Sequence, residues 1–230
     1  MSGSTDNQPP ETGPPNSPGE NITVPKAVVS RLSLYLRELQ QLILDGQETT
    51  SSTQLGSRLG FTDAQVRKDL AYFGQFGYPG IGYRCDELIR QIKKILGTDR
   101  DWPVALVGLG NLGTALLGYR GFGQQGFRVV AAFDTDPAKV GRQIAGVSVY
   151  PFDRLPEIVR NEKIRIGIVA VPAAAAQAVA DRLVESGVTG ILNFAPVTIK
   201  LPEEVSKVAV DLAIELEQLC FAVVKKANSA

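Results

Sequence analysis

The residues with the clearest chemical potential are Gly108-Leu109-Gly110-Asn111-Leu112-Gly113. On its own a GxGxxG hexamer marks many ordinary turns, so its setting decides what it means. Here it follows the apolar run Val104-Ala105-Leu106-Val107 directly and leads into Leu112, Ala115 and Leu116 at helical spacing. Between a strand and a helix, the first glycine permits a tight turn and the second removes a Cβ that would block a pyrophosphate. The third lets the helix pack close to the strand. The helix start offers unpaired amides and a positive dipole end to phosphates.

About twenty residues beyond the last glycine, Asp134 ends the next apolar run, where a carboxylate can accept both hydroxyls of an adenosine ribose. A 2′-phosphate there would meet a like charge, so the pattern favours NAD over NADP, with Arg142 as a nearby cation that softens the exclusion. Coenzyme A is the competing ligand for a fold of this kind.

Composition narrows what such a site can do. The chain has 230 residues, 44% hydrophobic, and contains no histidine. It therefore lacks the commonest general acid–base group and the commonest metal ligand. Cys85 and Cys220 are the only thiols and are too far apart in sequence for a CxxC pair, so they read as free cysteines of a reducing compartment. No metal site and no enzyme are expected. An oxidoreductase would need a proton donor from Tyr119, Cys220 or a lysine, and none sits in a catalytic motif. Acids and bases balance at 24 each, and no run is long and apolar enough for a membrane span. A soluble, cytoplasmic protein with no membrane partner is expected.

The elements that position the glycine loop fall into an alternating strand–helix pattern over residues 98–210. Strands are expected at Val104–Val107, Phe127–Phe133, Ile164–Val171, Gly190–Phe194 and Val205–Val210, with helices at Leu112–Tyr119, Phe152–Arg160 and Ala173–Glu185. This grammar predicts a Rossmann domain with a mostly parallel sheet. Residues 211–225, with Leu212, Leu216, Leu219, Cys220 and Val223, form a last amphipathic helix. Residues 1–24 are rich in Pro, Gly, Ser and Asn and read as a disordered tail.

Residues 25–97 are mainly helical and mildly basic, with ten Lys/Arg against seven Asp/Glu between Lys26 and Lys94. Val28, Leu32, Tyr35, Leu39 and Leu42 form one buried stripe. Ser51 and Ser52 offer an N-cap for a short helix closed by Gly60. Thr62-Asp63-Ala64-Gln65 fits a capping box, with the Thr62 hydroxyl on the Gln65 amide and the Gln65 side chain reaching back. In the helix that follows, Val66, Leu70 and Phe73 turn inward and leave Gln65, Arg67, Lys68 and Tyr72 on other faces. Helix, short turn, helix is the layout of a helix-turn-helix, although small helical domains share it. In that reading Arg67 and Gln65 can pair with base edges, while Lys68, Arg58 and the amides near Ser51 and Ser52 hold phosphates. The glycine- and tyrosine-rich stretch from Gly74 to Tyr83, including Gly80 and Gly82, suits the hairpin wing of a winged helix. The whole is an α/β chain.

These motifs occur together in one known order. Arg31-Leu-Ser-Leu-Tyr-Leu-Arg37, Gln65-Val-Arg-Lys-Asp-Leu-Ala-Tyr-Phe-Gly74, Gly80-Ile-Gly-Tyr83, the glycine loop, Phe133-Asp-Thr-Asp-Pro137 and Asn193-Phe-Ala-Pro196 resemble the Rex family of redox-sensing transcriptional repressors. The resemblance runs from about Pro25 to Val224. It implies a homodimer whose winged helices bind a palindromic double-stranded operator, and a last helix, Leu212 to Val224, that swaps onto the partner's Rossmann domain. It also implies that free or NAD⁺-bound protein represses and that NADH releases the DNA. The family's switch contacts map onto Arg37, Tyr119 and Asp211. For Asp211 a plain helix cap is an equally good reading, and the two are compatible. Leu212 stands where some relatives carry an aromatic, which removes any aromatic packing on the nicotinamide from that position.

Overall fold

The computed structural model describes residues 24–227; the tail expected before Val24 lies outside the described residues. The chain divides into two compact units between Asp99 and Arg100.

In the first unit, α1 (Lys26–Leu44), α2 (Ser52–Leu59), α3 (Asp63–Ala71) and α4 (Cys85–Leu96) surround one core, with β1 (Thr49–Thr50) and β2 (Tyr83–Arg84) paired antiparallel. The stripe on α1 is buried as its spacing requires: Leu32, Tyr35, Leu39 and Leu42 pack with Leu55, Val66, Leu70, Leu88 and Ile92. Ser51 caps α2 by accepting the Gln54 amide, and Gly60 ends it in the left-handed conformation at φ 74°. The turn between α2 and α3 is tight. A Cβ on Gly56 would lie 2.6 Å from the Phe61 carbonyl oxygen, so this α2 position requires glycine.

The second unit holds a seven-stranded sheet of order β5-β6-β4-β3-β7-β8-β9. Its strands are β3 (Trp102–Val107), β4 (Phe127–Asp134), β5 (Gln143–Ile144), β6 (Val147–Pro151), β7 (Ile166–Val169), β8 (Gly190–Asn193) and β9 (Ser206–Ala209). All neighbours are parallel except the β5–β6 hairpin. The helices are α5 (Asn111–Leu117), α6 (Gly121–Gln124), α7 (Leu155–Asn161), α8 (Ala173–Glu185) and α9 (Leu212–Ala227). The strand pattern of period two separates two cores. Ala105, Val107, Ala131 and Phe133 face Leu155, Ile158 and Leu183 of α7 and α8, whereas Val104, Leu106 and Ala132 face the side of Leu116 and Phe122. The strand order reverses between β3 and β7, the place where sheets of this kind bind ligands at the carboxyl ends of their strands.

Besides the short β1–β2 pair, two features of the second unit went unseen in the sequence. The β5–β6 hairpin turns on Ala145 and Gly146, at φ 50° and 82°, a two-residue turn with alanine where asparagine would have announced it. The other is α6, a single turn. The expected Leu112–Tyr119 helix also ends early, at Leu117, with Gly118 as its C-cap.

Candidate functional site

The glycine loop lies at the point where strand order reverses. Gly108 adopts φ 94°, and a Cβ there would sit 2.6 Å from the Ala170 carbonyl oxygen at the end of β7. Gly113 faces back onto the loop, where a Cβ would overlap the Gly108 carbonyl, with its carbon only 2.9 Å away. Gly110 differs, because a Cβ there would meet nothing within 4 Å. Two glycines are thus required by the protein itself. The third faces open space at the N-cap of α5, where a ligand's phosphates would approach. Asn111 and Leu112 are exposed on the first turn of α5, and Leu109 is buried beneath the loop.

Asp134 ends β4 as expected, and three groups hold its carboxylate. Its Oδ2 accepts the Leu109 amide at 2.8 Å and the Lys139 ammonium at 3.4 Å, and its Oδ1 accepts the Asp136 amide at 2.8 Å. Burial alone would push this carboxyl up, but the two amides and Lys139 outweigh it and hold it below the usual range. The carboxylate therefore braces the loop while keeping lone pairs for a ligand. The cation at this end of the site is Lys139, which also approaches Asp136 at 3.4 Å. Arg142, the cation singled out by sequence, is exposed on the connection to β5.

In the first unit the Thr62 hydroxyl accepts the Gln65 amide at 3.1 Å, which completes half of the expected capping box. The Gln65 side chain does not reach back. It donates to Asp69 Oδ1 at 2.7 Å. Asp69 is fully buried and also receives the Tyr35 hydroxyl at 2.8 Å and the Arg31 guanidinium through two nitrogens, with Nη2 to Oδ1 at 2.8 Å. Burial would raise the Asp69 pKa, but hydrogen bonds from Arg31, Tyr35 and Gln65 overcome this and hold it below the usual carboxylate range. Burial and the bond to Asp69 push the Tyr35 hydroxyl up. This four-residue cluster ties α3 to α1 and was missed in the sequence. The signal was present, because Asp69 falls three residues after buried Val66, within the inward stripe of α3.

That cluster changes which side chains of α3 face outward. Arg67 and Lys68 are exposed, with Arg67 Nη1 bonded to Asp63 at 2.7 Å and to the Ser52 hydroxyl at 3.1 Å. Tyr72 is half-buried and caps α3. Gln65 is turned toward Asp69, and Arg58 pairs with Glu38 of α1 at 2.6 Å. In the segment expected as a wing, Tyr78 and Gly82 exchange hydrogen bonds across a short turn that exposes Gly80 and Ile81. Gly82, at φ 90°, lies so close to the Thr50 carbonyl that a Cβ has no room. Its requirement is internal packing.

Of the residues assigned to a switch, Arg37 is exposed on α1. Tyr119 follows α5 and stands edge-on to Phe122, with ring centroids 5.1 Å apart. Asp211 Oδ1 accepts the Ala213 amide at 2.9 Å, the geometry of a helix cap at the start of α9. No group of metal-binding side chains occurs among the described residues, and no described helix is long and apolar enough to cross a membrane.

Comparison with known proteins adds to this geometry. Residues 23–71 match the family model "Putative DNA-binding protein N-terminus" and residues 99–197 match "CoA binding domain". The chain is 47% identical over 209 residues to the redox-sensing transcriptional repressor Rex of Pelotomaculum thermopropionicum, covering 91% of this chain and 98% of that protein. Among solved structures it is similar to RSP, a Rex-family repressor, in complex with β-NAD⁺ and operator DNA, at 35% identity and TM-score 0.84 over 90% of this chain and 95% of that one. The same repressor in complex with β-NADH matches at 34% identity and TM-score 0.81, over 90% and 97%.

Proposed function

The chain belongs to the Rex family of redox-sensing transcriptional repressors, and from that premise we propose that it binds a palindromic operator when NADH is low and leaves it when NADH binds. The observation that carries this reading is that one repressor, similar to this chain over nine tenths of its length, is known both with NAD⁺ on operator DNA and with NADH. The braced loop of Gly108, Gly110 and Gly113 with Asp134 is the receiver, and on α3 exposed Arg67 reads bases while exposed Lys68 holds a phosphate. Ser51, Ser52 and the turn at Gly80 border the DNA, and Tyr72 supports α3. Gln65 and Arg58 join them at the DNA, and like Arg67 each also makes a contact within its own unit. The protein acts in the cytoplasm as a binding switch rather than an enzyme.

Two observations support a homodimer with a swapped last helix. All of α9 is exposed, including Leu212, Leu216, Leu219, Phe221 and Val223. Along one row of the sheet, Leu106, Ile168, Leu192 and Val208 share a face by register. Exposure along that row climbs from 0% at Leu106 through 3% at Ile168 to 47% at Val208. No helix connects β8 to β9, so this end of the sheet lacks a cover. An apolar helix without a seat and a sheet face without a helix complete each other in a second copy. Leu216→Glu and Phe221→Asp are expected to yield monomers by light scattering.

NADH works here by binding the DNA-incompetent dimer more tightly than the competent one. Linkage then requires operator DNA to weaken NADH binding by the factor with which NADH weakens operator binding, about 5- to 150-fold for a coupling of about 1–3 kcal/mol. Operator affinity titrated with and without NADH tests this, and equal affinities would sink it. The "CoA binding domain" match favours a second reading, a coenzyme A sensor on the same loop. Tight CoA binding with no NADH binding would establish that reading instead.

A further inference from the structure

Gly121 poses a local problem. It opens α6, and its backbone does not lie in the left-handed region that would demand glycine. A glycine in a helix costs conformational entropy and is disfavoured relative to alanine. What occupies the space of its missing side chain is Tyr119. A Cβ on Gly121 would lie 2.5 Å from the Tyr119 hydroxyl oxygen and 2.6 Å from Cε1, inside any allowed contact. The ring therefore lies across the Gly121 Cα, with Phe122 edge-on at its side and interplanar angle 86°. Yet Tyr119 remains 57% exposed, so the side chain is seated without being locked.

We propose that Gly121 is a positioning residue that forms the seat for one of two working positions of the Tyr119 ring, and that a side chain at 121 removes that position. The proposal rests on the reading of Tyr119 as a switch residue. A switch needs two states of comparable free energy, and exposed tyrosines leave a surface groove readily unless something favours it. The Gly121–Phe122 pair supplies that preference from two adjacent residues of one helical turn. Because the clash falls on the free end of a flexible side chain, the fold accommodates a methyl at 121 by turning Tyr119 away. The cost is therefore paid by the switch and not by the core.

The test measures the coupling factor, the ratio of operator dissociation constants with and without saturating NADH, in wild type, Gly121→Ala, Tyr119→Ala and the double variant. Gly121→Ser places the same Cβ and serves as a second seat variant, and NADH fluorescence titration reports that each protein is folded and binds nucleotide. The expected result is a coupling factor in both seat variants at least ten-fold closer to one than in wild type. In the double variant it should equal that of Tyr119→Ala, since Gly121 acts only through that ring. If Tyr119→Ala abolishes coupling while both seat variants keep the wild-type factor, the seat is refuted and the switch reading stands. If Tyr119→Ala keeps the wild-type factor, the switch reading falls and takes the seat with it. A double variant worse than Tyr119→Ala alone also overturns the proposal, because Gly121 would then act by another route.

Discussion

Each unit of the molecule fixes its working segment with one aspartate, and the two are built differently. Asp69 is sealed in the core of the first unit, and side chains from a different helix, Arg31 and Tyr35 of α1, supply most of its partners. Asp134 sits at the end of a strand, and two of its three partners are backbone amides, that of Leu109 in the glycine loop and that of Asp136 just beyond the strand. The first arrangement uses up the carboxylate in joining α1 to α3 and leaves its neighbours Arg67 and Lys68 exposed. The second leaves lone-pair capacity on a carboxylate that is partly exposed. The buried acid is held by side chains and joins two helices, whereas the partly exposed acid is held mainly by amides and braces a loop.

Removing the joint should have the largest effect. Asp69→Ala leaves the Arg31 charge and the Tyr35 hydroxyl facing an apolar cavity, and breaking a buried pair in this way costs about 3–5 kcal/mol. Arg31 keeps some access to water, which places the expected loss near the lower end of that range. Chemical denaturation followed by circular dichroism checks it, and a loss below about 1 kcal/mol would show that the cluster is not a joint. The same carboxylate predicts a pH dependence. Its folded pKa is depressed, so its contribution is present above the unfolded value near ~3.9 and is lost as pH falls through the lower folded value. Asp69→Asn should therefore flatten the acid limb of the stability curve.

Asp134→Ala should cost less stability and more function. The Leu109 and Asp136 amides lose an acceptor at a site water can reach, a loss of about 1–3 kcal/mol at most. NADH binding should fall by at least as much in free-energy terms, because both the loop geometry and a ribose acceptor are removed. Isothermal titration alongside thermal melts separates the two effects, and a variant that melts early yet binds NADH normally would reassign Asp134 as a second joint. Gly110→Ala sharpens the contrast further. Its Cβ meets nothing in the protein, so the melting temperature should hold while NADH affinity collapses.

Much of this arrangement was legible because it rests on periodicity and local chemistry. The α1 stripe, the Ser51 and Thr62 caps and the strand–loop–helix around Gly108 all follow from short-range rules. Residues whose partners lie far along the chain were harder to read. Gln65 bonds Asp69 only four residues on, but the cluster that holds Asp69 draws on Arg31 and Tyr35, which only the fold brings over from α1. Arg58, expected at a phosphate, also pairs with Glu38 of α1, a contact that no local pattern announces. The β5–β6 hairpin is short enough that its two-residue strand carries almost no pattern. The exposed α9 shows why apolar spacing alone says that a helix will be covered and leaves open by what.

Lys139 offers the smallest and most discriminating break. It is one-third exposed, and its ammonium sits 3.4 Å from both Asp134 and Asp136. Both carboxylates have other partners, so Lys139→Met should leave the melting temperature unchanged. The two acids would then face an incoming ribose without a counter-charge, and a 2′-phosphate would meet stronger repulsion than a hydroxyl does. NADPH binding should weaken more than NADH binding, by a few-fold, and the difference should shrink as salt screens the charges. Competitive titration of the two nucleotides against the same protein reads this directly. A variant that gains affinity for NADPH would mean that Asp134 faces away from the 2′ position and serves the loop alone, which would make the two aspartates the same kind of joint after all.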